Sequence, residues 1–307
     1  TTPTITGTKS TITVSDTTIQ SIVLSGNNGV ALTDTDTSLY NFDASGITKG
    51  GVSFTSGVLV TDTTAKGSAV GGDTLDFSAA TAKVSITEVA GTNTIKGSAT
   101  IASTLVGGSG NDTITGGSGK DVISVGAGNT ANTVTGAGAA DSIDLTGSSG
   151  VNTLIYGIAS QNVGATGSNV DVITNFKTGV DKIQLTAGDN SASSTTVTAG
   201  GLAGINLAAG STLATMASVI TDNTSVASIT DVYTQLALDL NNTTNAFAAS
   251  ATGAGNIVAR VVTFANGAAA GSYLVINDVT AAFQGATDQV IKLVGTTSFA
   301  ASDLTVV

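Results

Sequence analysis

Two nine-residue phrases, GGSGNDTIT (107–115) and GGSGKDVIS (116–124), stand end to end, each spending its glycines first and then one aspartate. The chain contains no histidine and no cysteine, so these residues cannot belong to a zinc-protease helix, a Ser–His pair or a thiol nucleophile. What glycine and aspartate can do together is hold a cation. Glycines permit tight bends and let backbone carbonyls crowd, the aspartate brings charge, and calcium takes about six to eight such oxygens. The candidate ligands are Gly108, Gly110 and Asp112, then Gly117, Gly119 and Asp121, then Gly126 and Gly128, then Gly136, Gly138 and Asp141.

The pattern extends beyond the two perfect copies. A large apolar residue recurs at Ile95, Leu105, Ile114, Ile123, Val134, Ile143 and Leu154, in steps of 10, 9, 9, 11, 9 and 11 residues. Two residues before each stands a short oxygen-bearing side chain: Asn93, Ser103, Asp112, Asp121, Asn132, Asp141 and Asn152. Asp73 before Leu75, Asp171 before Ile173 and Asp181 before Ile183 keep the same offset. A period this long and regular signals a solenoid. Nine residues make one turn and one short strand, so about 18 complete a coil whose strands stack in parallel about 4.8 Å apart. The arithmetic puts Asp121 and Asp141 on one edge and Asp112 and Asn132 on the other. For Asn93, Asn132 and Asn152 the expected role is to satisfy turn backbones without metal.

GGSGNDTIT and GGSGKDVIS resemble the calcium-binding nonapeptide repeat of RTX proteins without a mismatch. GAGAADSID (136–144) departs at the second glycine, VGAGNTANTVT (125–135) carries a two-residue insertion, and GSSGVNTLI (147–155) replaces the acid with Asn152. The segment VDVITNFKTGVDKIQL (170–185) is similar to the one that closes the β-roll in serralysin-type and other type I-secreted proteins. That resemblance implies metal ligation by Asp171 and Asp181; the alternative is that these acids cap turns. GSYLVINDVTAAFQGATDQVIKLVG (271–295) looks like the carboxy-terminal module that follows such repeats, and Asp278 and Asp288 are candidates for a further calcium site. The final ASDLTVV is similar to an uncleaved export signal.

Composition narrows the partners. The formal net charge is -11, with 10 basic against 21 acidic residues, which argues against nucleic acid and anionic membranes. No apolar run reaches the roughly 20 residues of a membrane span, so no membrane insertion is expected. With 41% hydrophobic and only 10% charged residues, the chain should fold rather than stay disordered. Glu88 is the sole glutamate and aromatic residues are scarce, which disfavours a polysaccharide-cleaving carboxylate pair. No enzymatic activity is expected. The opening TTPTITGTKS, without Met, reads as part of something longer.

The expected fold is all-β: a right-handed parallel β-roll or β-helix solenoid with calcium in the turns, plus a carboxy-terminal β-rich module with two short helices. Residues 1–70 are expected to form irregular solenoid coils or a cap, 71–185 the calcium-binding roll, and 186–307 the carboxy-terminal module with the export signal. The helices are expected in TLATMASVI (212–220) and ITDVYTQLALDL (229–240), where Leu213, Met216, Ala217 and Ile220, then Ile229, Val232, Tyr233, Leu236 and Leu240, recur at helical spacing. The acidic, cysteine-free, Thr-, Ala- and Gly-rich composition resembles RTX-type surface-layer proteins of Gram-negative bacteria. It implies an extracellular structural protein whose partners are other copies of itself and the type I secretion machinery. The alternative is the repeat and export module of a secreted adhesin or hydrolase.

Overall fold

Strands of three to seven residues in which apolar side chains alternate with Thr or Ser bury one face and wet the other, and this alternation builds most of the molecule. The computed structural model describes residues 10–14, 18–128, 131–157, 170–186, 196–199, 205–207, 220–222, 256–264, 270–277, 289–296 and 299–306. Its contacts divide it into two units, Thr1–Ala137 with Ser142–Asn152, and Gly138–Asp141 with Thr153–Val307.

In the first unit the chain winds between two parallel sheets. One sheet takes the odd strands β1 (Ser10–Val14), β3 (Val30–Asp34), β5 (Val52–Thr55), β7 (Thr74–Asp76), β9 (Thr94–Lys96), β11 (Thr113–Gly117) and β13 (Thr133–Ala137). The other takes β2 (Ser21–Gly26), β4 (Asn41–Ile47), β6 (Thr63–Lys66), β8 (Val84–Thr87), β10 (Ser103–Val106), β12 (Val122–Ser124) and β14 (Ser142–Asp144). The result is a parallel β-solenoid of about seven turns, and its coils already run through the residues before 71.

Register stacks like on like. Leu32, Phe54, Leu75, Ile95, Ile114 and Val134 are successive partners in the first sheet, and Phe42, Ala65, Ile86, Leu105, Ile123 and Ile143 in the second. All are buried, each large side chain contributing about 1.5–3 kcal/mol. Phe42 and Phe54 stack at 4.1 Å and Phe54 meets Phe77 at 5.1 Å, filling the core where Ala65 leaves room. The step from Leu105 to Ile123 is the 18-residue coil of two nonapeptides. Steps elsewhere are longer because extra residues enter the turns, where they cost little, and not the strands.

In the second unit β15 (Thr153–Gly157), β17 (Lys182–Thr186) and β24 (Leu304–Val306) form a parallel ladder. β16 (Asp171–Thr174) pairs in parallel with β23 (Gln289–Val294), which continues antiparallel through β22 (Gly271–Asn277) to β21 (Asn256–Phe264). Beyond it lie β18 (Thr196–Ala199) and β19 (Ile205–Leu207), while β20 (Ile220–Asp222) pairs the far end of β21. Among the described residues there is no α-helix. Residues 212–219 and 229–240 lie outside the described residues, and Ile220, expected to end a helix, instead opens β20 opposite Val262. The only helical turn described is 3-10, at Ala301–Asp303.

Candidate metal centres in the turns

Each coil must turn through six or so residues whose backbone N–H groups point inward, and those donors need acceptors. The oxygen-bearing side chain two before each apolar residue supplies one. Asp73 Oδ1 accepts from Val52 N at 2.5 Å, Asn93 Oδ1 from Asp73 N at 3.1 Å, Asp112 Oδ1 from Asn93 N at 3.0 Å and Asn132 Oδ1 from Asp112 N at 2.9 Å. At the other edge Asp121 Oδ1 accepts from Ser103 N at 2.6 Å. Each side chain therefore caps the turn of the coil before it, and either Asp or Asn can do so. That shared duty explains why every such position carries a short oxygen-bearing group.

Asp and Asn differ at the second atom. The Asn93 amide nitrogen donates to Ala90 O (3.2 Å), Gly91 O (3.1 Å), Gly107 O (3.4 Å) and Asp112 Oδ1 (3.0 Å). Three carbonyls and a carboxylate thus converge on one positively polarised point. Where the sixth residue is aspartate the donor is gone. Asp112 Oδ2 is buried with no hydrogen-bond partner, and it lies over Gly107: a Cβ there would be 2.7 Å from it and 3.0 Å from Val125 O. At the other edge Asp121 Oδ2 and Gly136 O crowd the Cα of Gly116 in the same way. A buried carboxylate oxygen beside the first carbonyl of the next coil is what a hard cation with oxygen ligands requires. The residues fit calcium. When bound, calcium would supply positive charge directly beside the buried carboxylates; the chain's part is to hold the oxygens in place.

The glycines make that approach possible. Gly110 (φ +136°) and Gly126 (φ +81°) occupy backbone that L side chains rarely adopt, and a Cβ on either would overlap the carbonyl of Gly91 or Gly108. Gly108 packs likewise against Val89 O, Gly117 against Ser98 O and Gly119 against Ala102 N, while Gly128 is bridged to Ser148. Gly117 is in register with Ala137, in keeping with the departure of GAGAADSID at the second glycine, so alanines, Ala137 and Ala139, stand at the second and fourth turn positions and Gly136 and Gly138 at the first and third. Both alanines are held at positive φ, 76° and 66°, at about 1–2 kcal/mol each. Ala137→Gly should therefore raise stability by about 1 kcal/mol, whereas Gly126→Ala should lower it by more than that. Urea unfolding of both variants checks this; a stabilising Gly126→Ala would contradict the stacking of these turns.

Strand β12 follows Asp121 and β14 follows Asp141, and Val122 pairs with Ser142, in keeping with the 20-residue step between the two acids. In the second unit Asp141 N donates to Asp171 Oδ1 at 2.7 Å, and the Tyr156 hydroxyl donates to Asp171 Oδ2 at 3.0 Å. Burial, with Asp171 and Asp141 beside it, raises the Tyr156 hydroxyl well above its usual range. Asp181 Oδ2 accepts from Lys177 N at 2.8 Å and closes the turn 177–181, the capping role held open above. Asp278 and Asp288 lie outside the described residues. Asp303 caps as well, accepting from Thr178 Oγ1 (2.6 Å), Gly179 N (2.8 Å) and Ala300 N (2.8 Å).

Three buried acids escaped the sequence reading of the site. Asp34 and Asp36 are inward-facing with one oxygen each unpartnered; burial raises the Asp34 carboxyl above its ordinary value, against the hydrogen bond from the Asp36 N–H, while the Asp36 charge adds a smaller push upward. Glu88 is 2% exposed. Burial, with Asp73 and then Asp112 nearby, pushes its carboxyl up to about 10. Asp112 is pushed up to about 6 by burial, against the hydrogen bonds from Asn93. Nothing in the glycine–aspartate pattern singles out Glu88; only its place 19 residues before Gly107 aligns it with a turn. Among the described residues no three acidic side chains make a ready metal cluster by themselves, so backbone carbonyls are indispensable to any site here.

Residues 102–131 match the family described as RTX calcium-binding nonapeptide repeat (4 copies). No curated protein matches the chain. The chain thus carries calcium-binding RTX repeats within a parallel β-solenoid, a kind of repeat typical of secreted proteins.

Proposed function

We propose that this chain is a structural protein: the lattice-forming part of an RTX-type bacterial surface layer, extracellular, exported by a type I system and assembled with calcium. The observation that supports it best is how the chain spends its polar groups. In the first unit the buried acids and Asn residues face the turns, while the outside bears only scattered charges, such as Lys49, Asp62 and Lys120, among exposed valines such as Val23, Val58, Val60, Val89 and Val122. An enzymatic role is not part of the reading. Such faces suit side-by-side packing of copies, and with few charged residues little opposes contact between flat strand edges. Divalent ions can bridge acidic neighbours where sodium only screens them.

A second reading is the repeat module of a secreted adhesin or hydrolase, favoured by the match itself, because RTX repeats are typical of secreted proteins at large. The two are separated by adding millimolar calcium to protein whose internal sites are already filled. Light scattering and negative-stain imaging should then show ordered sheets or oligomers, and sodium chloride at equal ionic strength should not produce them. Scattering that stays monomeric as calcium rises sinks the lattice role and leaves the secreted-module reading.

A further inference from the structure

Glu88 opens the turn 88–93. Thr87 pairs with both Lys66 and Val106, so the same rung is held by Gly67 in the coil before and Gly107 in the coil after. A glutamate at that rung faces inward, and neither of its oxygens has a hydrogen-bond donor. Its carboxylate fills the space a Cβ on Gly67 would need, since that atom would overlap Oε2. Asp73 lies close enough to compete with it for a proton, and Asp112 is the next negative charge; no lysine or arginine is among the influences on it. Asp73 already accepts from Val52 N, Ser68 N and Ser68 Oγ, so the one thing it can share with Glu88 is a proton, which leaves Glu88 neutral.

The same turn ends in Asn93, whose amide fills its own carbonyl cradle. Turn 88–93 therefore keeps one carboxylate, as the repeats do, but carries it at the first residue and not the sixth. An uncompensated buried carboxylate costs several kcal/mol, and a bound cation is the compensation that leaves it ionised.

We propose that Glu88 anchors a further calcium site, between the turns 67–73 and 88–93 and outside the matched repeats, with Asp73 as its acidic neighbour. The oxygen-only donor set selects a hard divalent ion and not zinc or copper. Backbone carbonyls and water complete its shell, because the acids alone are too few. The site is independent of the lattice reading.

Native mass spectrometry of the 307-residue chain in calcium, with melting curves in calcium and in chelator, tests this. Glu88→Gln should bind one ion fewer per chain. It should melt above the parent in chelator, where a buried charge is removed, and below it in calcium. Asp112→Asn serves as the control that loses an ion from the repeats. An ion lost there but none lost in Glu88→Gln, with an unchanged calcium-induced melting shift, overturns the site while leaving the repeat sites standing. Should Glu88→Gln fail to fold, Gly67→Ala keeps the acid but places a methyl where its carboxylate sits. It too should cost one ion, and an undiminished count refutes the proposal.

Discussion

Removing calcium should lower the melting temperature of the first unit by about 6–12 °C or abolish its β spectrum. The size follows from linkage. Extracellular calcium modules bind with dissociation constants of about 0.1–1 mM, and at ten times that level each site adds about 1.4 kcal/mol. The two cradles at Asp112 and Asp121 then supply about 3 kcal/mol, and each kcal/mol moves the melting point of a unit this size by about 2–4 °C. Buried carboxylates left without a cation, such as Asp112, push in the same direction. Circular dichroism in chelator, followed by addition of excess calcium, measures the effect. An identical spectrum and melting point in both conditions would show that the turns hold without metal, by their hydrogen-bond ladder alone.

Calcium-stripped protein should lose stability as pH rises, the reverse of ordinary acid denaturation. A carboxyl whose folded pKa lies above its unfolded value binds protons more tightly when folded, so its unfavourable contribution grows as pH climbs from the unfolded to the folded value. For Asp112 that window runs from 3.8 to about 6 and for Glu88 from 4.5 to about 10. Asp112 alone accounts for about 3 kcal/mol across its window. Asp43 and Asp76 are held below their ordinary value and act oppositely, but both are partly exposed and their contribution is confined to pH below about 4. Stripped protein should therefore melt higher at pH 5 than at pH 8, and the stabilisation gained on adding calcium should be larger at pH 8. Melting curves across that range decide the matter; a stripped chain whose melting point climbs from pH 5 to pH 8 would mean that these carboxyls ionise without penalty.

Strand alternation makes two features legible from residue order alone. An inward apolar side chain and an inward oxygen-bearing one must lie an even number of residues apart, so the constant offset of two between Asp112 and Ile114, or Asn132 and Val134, announces both the core and the turn ladder. Glycine followed by aspartate likewise announces turns in which carbonyls crowd near a charge, because glycine takes positive φ without strain and aspartate carries the shortest carboxylate. Coil length is not legible in this way. Extra residues inserted in a turn leave the strand pattern intact, so which turn residues face one another in the irregular coils, such as Glu88 and Gly67, emerges only when the strands are in register.

The division of labour between Asp and Asn is also a tertiary matter. Both accept the same backbone N–H, and only the surroundings of the second atom separate the Asn93 amide, ringed by carbonyls, from the unpartnered Asp112 Oδ2. Glu88 is the plainest case. Its sequence neighbours, Thr87 and Val89, do not announce a site, and in one dimension it is a lone acid outside the repeated phrase. Only the stacking of coils brings it over Gly67, where the missing Cβ makes room, and beside Asp73, which is fifteen residues away along the chain but adjacent across the turn. The local pattern determines which way each side chain faces, because that depends on the parity of the strand; which charges meet depends on how many residues each turn absorbs, and the folded coils decide that.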